Sequence, residues 1–299
     1  MTNDEITELL TKRNNWGRWG PDDQRGAINL ITPEKRVEAA ALVRSGRIVS
    51  LSRDIPTVPG PNNPNPAQHF FRVMDGGSAG GAVVDHIGLL YHGYQTTHID
   101  ALCHVWSGDG MWNGRDPRIE VTSQGARYGS IDAWRDGIVT RGVLFDVPKF
   151  RGEACIGLET PVRAEEFEAI AKAEGLTIGA GDAIVVHSGR GAWQRQNPTW
   201  SGYAPPSPGL DPDCLAYLRD HDVAVLVWDM MDAVPNRNGM ALPVHAAIYA
   251  FGVALVDNAL LEPLAEACAA ESRYEFMLTV APLPLPRGTG SPANPLAMF

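Results

Sequence analysis

The sequence has neither a surplus of positive charge nor a long hydrophobic run. Its 299 residues contain 25 Lys and Arg against 35 Asp and Glu, which gives a formal net charge of −10. Such a chain lacks the positive field that draws proteins to phosphate backbones, so we expect no nucleic-acid partner. No segment approaches the roughly 18 consecutive apolar residues of a membrane span, and the N-terminus opens acidic where a secretory signal opens basic. We therefore expect no membrane partner and a cytoplasmic location.

Cysteine is scarce, and two common catalytic motifs are missing. The four cysteines are widely spaced and form no Cys-x-x-Cys pair, so we expect reduced thiols rather than a zinc knuckle or a disulfide framework. No Gly-x-Ser-x-Gly elbow is present, which leaves a serine hydrolase without support. The glycine-rich segment 288–292 (GTGSP) lacks the lysine of a phosphate-binding loop, so it does not indicate nucleotide binding.

The apolar residues, 44% of the chain, follow a pattern in which helices and strands alternate. This pattern is typical of an α/β protein, and no linker divides the chain, so we expect one domain over residues 1–299. Thr32 and Asp211 are predicted helix caps, and Gly46, Gly175 and Gly252 are predicted helix ends. The predicted helices cover 33–46, 164–174, a segment that begins at 212, and 243–251. The predicted strands cover 48–51, 83–90, 142–146, 183–186, 223–227, a segment that ends at 256, and 276–280, which is the last.

The segment 94–104 (YQTTHIDALCH) places two imidazoles and a carboxylate within seven residues. In an extended chain His98 and Asp100 point to one face, because strand side chains alternate with period two. If the chain then turns helical, His104 lies one turn beyond Asp100 and converges on the same point. Zn²⁺ and Mn²⁺ bind imidazole nitrogen and carboxylate oxygen, so the segment predicts a metal site. The alternative is a pair of hydrogen-bonded core histidines beside a helix-capping Asp.

Further polar residues follow predicted strands. His245 lies early on a helix and Asp257 ends the next strand, so the turn at Gly252 can bring them together. Alone, each is better explained as a structural residue, His245 in a first helical turn and Asp257 as a helix cap; their combination with the segment 94–104 favours a role in the metal site. Asp229 and Asp232 lie at a carboxyl strand end, where they can orient a ligating histidine or cap a helix.

Two other segments also have two interpretations. His92 can supply an imidazole if the chain bulges at Gly93, or it can lie on the surface or behind the ligands. The segment 187–191 (HSGRG) can donate amides or the Arg190 guanidinium to a substrate carboxylate. The simpler interpretation of that segment is a glycine turn with an exposed arginine.

These motifs resemble the metal-dependent cyclase family, which includes bacterial kynurenine formamidases, isatin hydrolases and related lactone or amide hydrolases. The signature of that family is His-x-Gly-Thr-His-x-Asp-x-x-x-His, and residues 97–104 match its latter part. The resemblance covers nearly the whole chain. It implies a swivelling β/β/α domain with a mixed sheet or partly closed barrel and flanking helices. Its other matching segments are 19–33 (WGPDDQRGAINLITP), 113–114, 181–189 (GDAIVVHSG) and 288–292.

The resemblance also implies roles for the matching residues. Asp100 would bridge two metal ions, with His98 on the first, and His104, His245 and Asp257 on the second. The first metal site lacks a ligand, because Tyr94 replaces the first signature histidine. Thr96 also replaces the glycine of the signature. The downstream glutamate of the family is Asp257 here. We therefore expect one divalent ion, Zn²⁺ or Mn²⁺, rather than two.

The implied function is hydrolysis of an amide or lactone bond, possibly cyclic, in a small molecule by metal-activated water, as in a kynurenine formamidase-like amidohydrolase. His104 or Asp257 would carry the proton. A phenol with a pKa near 10 seldom coordinates zinc at neutral pH, so Tyr94 is predicted to donate to an oxyanion. The alternatives are a lyase or cyclase that works through an enolate, and a metal-containing binding protein without turnover. A homo-oligomer is also expected.

Overall fold

A nine-stranded mixed sheet, curled into a half-barrel with flanking helices, forms the centre of the structure. The structure is a computed structural model that describes all residues 1–299. It confirms the predicted α/β class. The strand order in the sheet is β1-β13-β11-β7-β8-β9-β10-β4-β12. The strands are β1 Ile48–Ser50, β2 Gln68–Asp75, β3 Gly81–Gly88, β4 His98–Asp100, β5 Val121–Thr122, β6 Gly125–Ala126, β7 Ile138–Asp146, β8 Ala183–His187, β9 Val225–Trp228, β10 Ala254–Asp257, β11 Glu275–Val280, β12 Gly290–Pro292 and β13 Leu296–Met298.

Nine α-helices flank the sheet. None of them has the length and apolar character that a membrane crossing needs. They are α1 Asn3–Lys12, α2 Pro33–Ala40, α3 Pro117–Glu120, α4 Val147–Arg151, α5 Ala164–Ala173, α6 Arg190–Gln196, α7 Cys214–Asp220, α8 Ala246–Phe251 and α9 Glu262–Glu271.

The middle of the sheet consists of four neighbouring parallel strands, β7, β8, β9 and β10. These strands are buried on both faces and are rich in Val, Ile and Leu, as parallel strands usually are. Their carboxyl ends meet at one edge, where α/β proteins bind ligands. That edge gathers Asp146, His187, Asp229 and Asp257.

The short strand β4 lies antiparallel between β10 and β12. Its register places His98 opposite Asp257 and Asp100 opposite Leu255. Strand alternation turns Ile99 into the core and leaves the two polar side chains on the other face. This register brings the predicted metal segment onto the carboxyl-end edge.

Several predicted boundaries differ from the structure. The helix α2 ends at Ala40 rather than Gly46, because the N–H groups of Ser45 and Gly46 bond to the carbonyl of Phe299. The helix after Asp211 begins at Cys214, since the Asp211 side chain accepts the N–H of Asp213 in a preceding turn. The helix predicted from 243 begins at 246, and two short strands, β12 and β13, follow the strand predicted to be the last.

The hairpin formed by β2 and β3 lies outside the main sheet and exposes apolar side chains on both faces. Phe71 is 67% exposed and Val73 71% exposed. A two-stranded hairpin alone is only marginally stable in water. Its apolar surface is therefore suited to contact with another protein surface.

Glycine is required at the end of α8. Gly252 has φ +71°, and a Cβ there would lie 2.7 Å from the Cα of Gly26. Gly175, after α5, has φ +67° and open space around it. We expect Gly175→Ala to lower the free energy of unfolding by about 1 kcal/mol through backbone strain alone. Gly252→Ala should lower it by about 1 to 3 kcal/mol more because of overpacking.

Urea denaturation of the two variants and the parent protein measures this difference. Equal losses at the two glycines would show that the close approach of Gly26 to Gly252 carries no energetic weight.

Candidate metal centre

His98 and Asp100 project from β4 into a buried site. The Nδ1 of His98 lies 2.8 Å from the carbonyl of Thr96, so this nitrogen donates and leaves Nε2 free as a ligand. The Nε2 atom lies 3.4 Å from Oδ1 of Asp100 and 3.9 Å from Oδ2 of Asp257. The geometry therefore places one imidazole lone pair between two carboxylates.

His245, just before α8, and Asp257, at the end of β10, lie at the same site. The Nε2 of His245 is 3.2 Å from Oδ2 of Asp257 and 4.0 Å from Oδ2 of Asp100. The Nδ1–H of His245 donates to Asp232, and the indole N–H of Trp228 donates to the second oxygen of Asp257. A carboxylate behind a histidine in this way fixes the tautomer and the ring orientation of a metal ligand.

His104 reaches the site from a turn and not from the predicted helix. Its N–H bonds to the carbonyl of Ala101, no helix forms, and Nε2 still lies 3.7 Å from Oδ2 of Asp100. Burial lowers the pKa of His104 to about 4, despite the opposing charge of Asp100.

His92 belongs to the same cluster. Its ring stacks on that of His104 with 3.9 Å between centroids, and its Nδ1 lies 2.9 Å from Oδ1 of Asp100. The chain bends after this residue at Gly93, which has φ +127°. His92 is therefore not a surface residue, and one of its ring nitrogens lies among the possible ligand atoms of the cluster.

The Asp100 carboxylate indicates that the site suits a cation. Both oxygens are buried and neither accepts a hydrogen bond of good geometry, although Nδ1 of His92 lies 2.9 Å from Oδ1. A buried charge that is not hydrogen-bonded is costly. Burial raises the pKa of Asp100, but the surrounding imidazoles outweigh it and hold that pKa well below its usual value. Two groups of ligand atoms share this residue, each within 4.8 Å: His92, His98 and Asp100, and Asp100, His245 and Asp257.

Tyr94 is in neither of these ligand groups. Its ring packs edge-on against Trp200 and Tyr203, with centroids 6.5 and 5.0 Å away. Burial, together with the charges of Asp232 and Asp257, raises the pKa of Tyr94 to about 12. Its hydroxyl makes no hydrogen bond within the chain. A cavity of about 230 Å³ beside the cluster is lined by Tyr91, His92, Tyr94, Gln95, Tyr203 and neighbouring residues.

The other polar residues have different roles from one another. Asp232 orients His245, whereas Asp229 accepts the backbone N–H groups of residues 188–190.

Arg190 is 1% exposed, so the expectation of an exposed arginine is wrong. Its guanidinium donates to the carbonyl of Tyr94 and to the side chain of Asn258. Asp257 caps no helix, because α9 begins five residues later.

Two residues that no sequence motif indicates also support the site. Trp228 holds Asp257, and Asn258 donates to the carbonyls of Gly93 and Thr96, which fixes the bend between them. Asn258 is buried with φ +58°. A polar residue directly after a strand that carries a ligand is the signal that could have identified it.

Comparison with known proteins identifies the family of the chain. Residues 37–233 match the model of the family described as "Putative cyclase", and the chain belongs to this cyclase family. The crystal structure of a novel cyclase is similar, with 29% identity, a TM-score of 0.83, and coverage of 96% of this chain and 99% of the other. No curated protein matches the chain.

Two more distant structures share the fold. Isatin hydrolase A from Labrenzia aggregata, bound to benzyl benzoate, has 20% identity and a TM-score of 0.57, with 87% of this chain and 95% of the other covered. A protein from Bacillus stearothermophilus, described as a predicted metal-dependent hydrolase, has 16% identity and a TM-score of 0.52, with 85% and 98% covered.

The bond between Asp232 and His245 gives a testable prediction. Asp232→Asn keeps the size of the side chain but removes the charge that holds the imidazole. We expect metal affinity to fall by about 10- to 100-fold, the usual cost of losing a carboxylate behind a ligating histidine. Competition with a chelator of known affinity measures this change. Asp211→Asn, at another buried aspartate, is the control, and equal affinity in both variants would contradict the assignment.

Proposed function

We propose that the protein is a metal-dependent hydrolase that cleaves an amide or lactone bond, possibly cyclic, in a small molecule. The observation that carries this proposal is the buried Asp100 carboxylate, which accepts no hydrogen bond of good geometry and is surrounded by imidazoles. Membership of the cyclase family and the fold shared with isatin hydrolases support it.

The residues suited to hold the ion are His98, Asp100, His245 and Asp257, together with His92 and His104. Nitrogen and oxygen ligands of this kind suit Zn²⁺ or Mn²⁺. The chemistry that such an ion supplies is Lewis-acid activation of water and polarisation of a carbonyl. We propose a single ion, and elemental analysis of the purified protein determines the number.

Of the two residues predicted to carry the proton, His104 is better placed than Asp257, provided that it is not itself a ligand of the ion. One oxygen of Asp257 accepts the Trp228 indole N–H, and the other lies 3.2 Å from Nε2 of His245 within the proposed ligand set. The ring of His104 accepts no such bond and its side chain is 28% exposed, so it can reach a leaving group. The free hydroxyl of Tyr94, on the cavity wall, is placed to donate to a developing oxyanion.

The cavity beside the cluster favours a small, planar substrate. Three tyrosines, Tyr91, Tyr94 and Tyr203, contribute to its lining, and aromatic rings bind flat groups by stacking or edge contacts. A larger cavity of about 890 Å³ lies at the base of the β2–β3 hairpin and contains no ligand of the cluster. We therefore assign the substrate to the smaller cavity.

A substrate panel tests the proposal. The protein, loaded with Zn²⁺ or Mn²⁺, is incubated with lactones, formamides and cyclic imides in ¹⁸O-labelled water. A hydrolase incorporates the label into the acid product. Turnover without label would establish a lyase or cyclase that works through an enolate. Binding of these compounds without any turnover would establish a binding protein, and either outcome would overturn the proposal.

We also propose that the protein forms a homo-oligomer. The exposed apolar side chains of the β2–β3 hairpin support this assembly. A sedimentation measurement that gives the mass of a single chain at micromolar concentration would contradict it.

A further inference from the structure

A second cluster of metal-ligating side chains lies on the same sheet edge, at the ends of other strands. His187 ends β8, Asp229 follows β9 directly, and Glu262 begins α9. One ligand atom from each of the three lies within 4.8 Å of the other two. None of these residues is part of the centre around Asp100.

His187 is prepared to act as a ligand. Its Nδ1 lies 2.9 Å from Oδ1 of Asp146, which pairs with it in the sheet register. That carboxylate fixes the proton on Nδ1 and directs the lone pair of Nε2 toward the cluster. The residue is 7% exposed, and its Nε2 is buried without a hydrogen-bond partner.

Glu262 has an unpartnered oxygen, and Asp229 has no side-chain partner. Oε1 of Glu262 accepts the N–H of Gly191 at 2.6 Å, whereas Oε2 is buried without a partner. Asp229 is completely buried and accepts only backbone N–H groups. No lysine or arginine nitrogen lies within 4.0 Å of either carboxylate, so no ion pair neutralises them.

Two arginines lie nearby, but their donors point elsewhere. Arg53 donates to the carbonyls of Asn258 and Ala259. Arg190 donates to the carbonyls of Asp229 and Tyr94 and to the side chain of Asn258. The charges of both arginines act on Asp229 and Glu262 from a distance, but neither guanidinium hydrogen-bonds to the free atoms of His187 and Glu262.

We propose that His187, Asp229 and Glu262 form a second divalent-cation site, separate from the centre around Asp100. One imidazole nitrogen and two carboxylate oxygens suit Zn²⁺ or Mn²⁺. Bonds of about 2.1 Å to a shared ion require these ligand atoms, now within 4.8 Å of one another, to move closer together as the ion binds. The ion joins the ends of β8 and β9 to the start of α9, and its role is structural.

Elemental analysis with matched variants tests this site. The parent protein, Glu262→Gln and Glu266→Gln are loaded with Zn²⁺, desalted and analysed. Glu262→Gln keeps the bond to Gly191 but weakens the ligand, so we expect one ion fewer per chain. Hydrolysis should stay within about threefold of the parent, because a structural ion does not contact the substrate. Glu266, exposed on the same helix, is the control and should keep the full number.

His98→Ala separates this proposal from the proposed function. In that variant the ion of the second site should remain while the ion near Asp100 is lost, whatever activity is measured. Equal zinc content in the parent and Glu262→Gln would overturn the proposal. A protonated His187 would then be the cation that balances the two carboxylates.

Diffraction from crystals of the unmodified protein soaked in Mn²⁺ provides a measurement that needs no variant. An anomalous peak between His187, Asp229 and Glu262 is expected. Its absence, with a peak present at Asp100, would also overturn the proposal.

Discussion

Replacement of His98 by alanine should empty most of the centre around Asp100 and lower hydrolysis by more than about a hundredfold. Loss of a residue that orients a metal ligand already lowers metal affinity or activity by about 10- to 100-fold, and loss of the ligand itself should lower them more. His98 is buried, and its Nε2 faces both Asp100 and Asp257. An alanine there leaves those two carboxylates with fewer cationic or imidazole partners.

Elemental analysis and initial rates on the same preparation measure both effects. His86→Ala is the control, because His86 is exposed on the β2–β3 hairpin and should keep metal and activity. Full metal occupancy near Asp100 in His98→Ala would refute the assignment of this residue as a ligand.

Tyr94→Phe should retain the metal and lower kcat by about tenfold or more. The substitution removes only the hydroxyl, so the edge contacts of the ring with Trp200 and Tyr203 are preserved. Removal of an oxyanion donor costs up to about 10²- to 10³-fold in well-studied enzymes. The hydroxyl of Tyr94 is free of other partners and lies at the cavity wall, which suits such a donor.

Metal content and kcat together distinguish the possible roles of Tyr94. Loss of metal in Tyr94→Phe would show that Tyr94 is a ligand. Full metal content with an unchanged kcat would show that Tyr94 only lines the cavity. Tyr203→Phe is the matched control, because its ring lies in the same wall and its loss of a hydroxyl should leave kcat unchanged.

The sequence predicts those parts of the site that depend on local periodicity. The alternation of His98 and Asp100 on one strand face follows from the period of two, and it holds in β4. The α/β class and the central strands follow from the alternation of apolar segments. The helix boundaries are less well predicted, because bonds to distant residues, such as those from Ser45 to Phe299, end α2 early.

Features that depend on contacts between distant segments could not be predicted. Arg190 was expected at the surface, yet the carbonyl of Tyr94 and the side chain of Asn258 hold it inside. His92 joins the cluster because Asn258 pins the bend at Gly93. Neither contact leaves a periodic trace in the sequence, since each joins segments that are far apart along the chain.

The position of β4 has a consequence for the order in which the protein folds. This strand forms its ladder only with β10 and β12, which are made much later during synthesis. Pairing between such distant segments is slow because a long loop must close first. The residues around Asp100 therefore come together only when the C-terminal segments are in place, so the proposed ion would stabilise the finished chain rather than a chain that lacks β10 and β12.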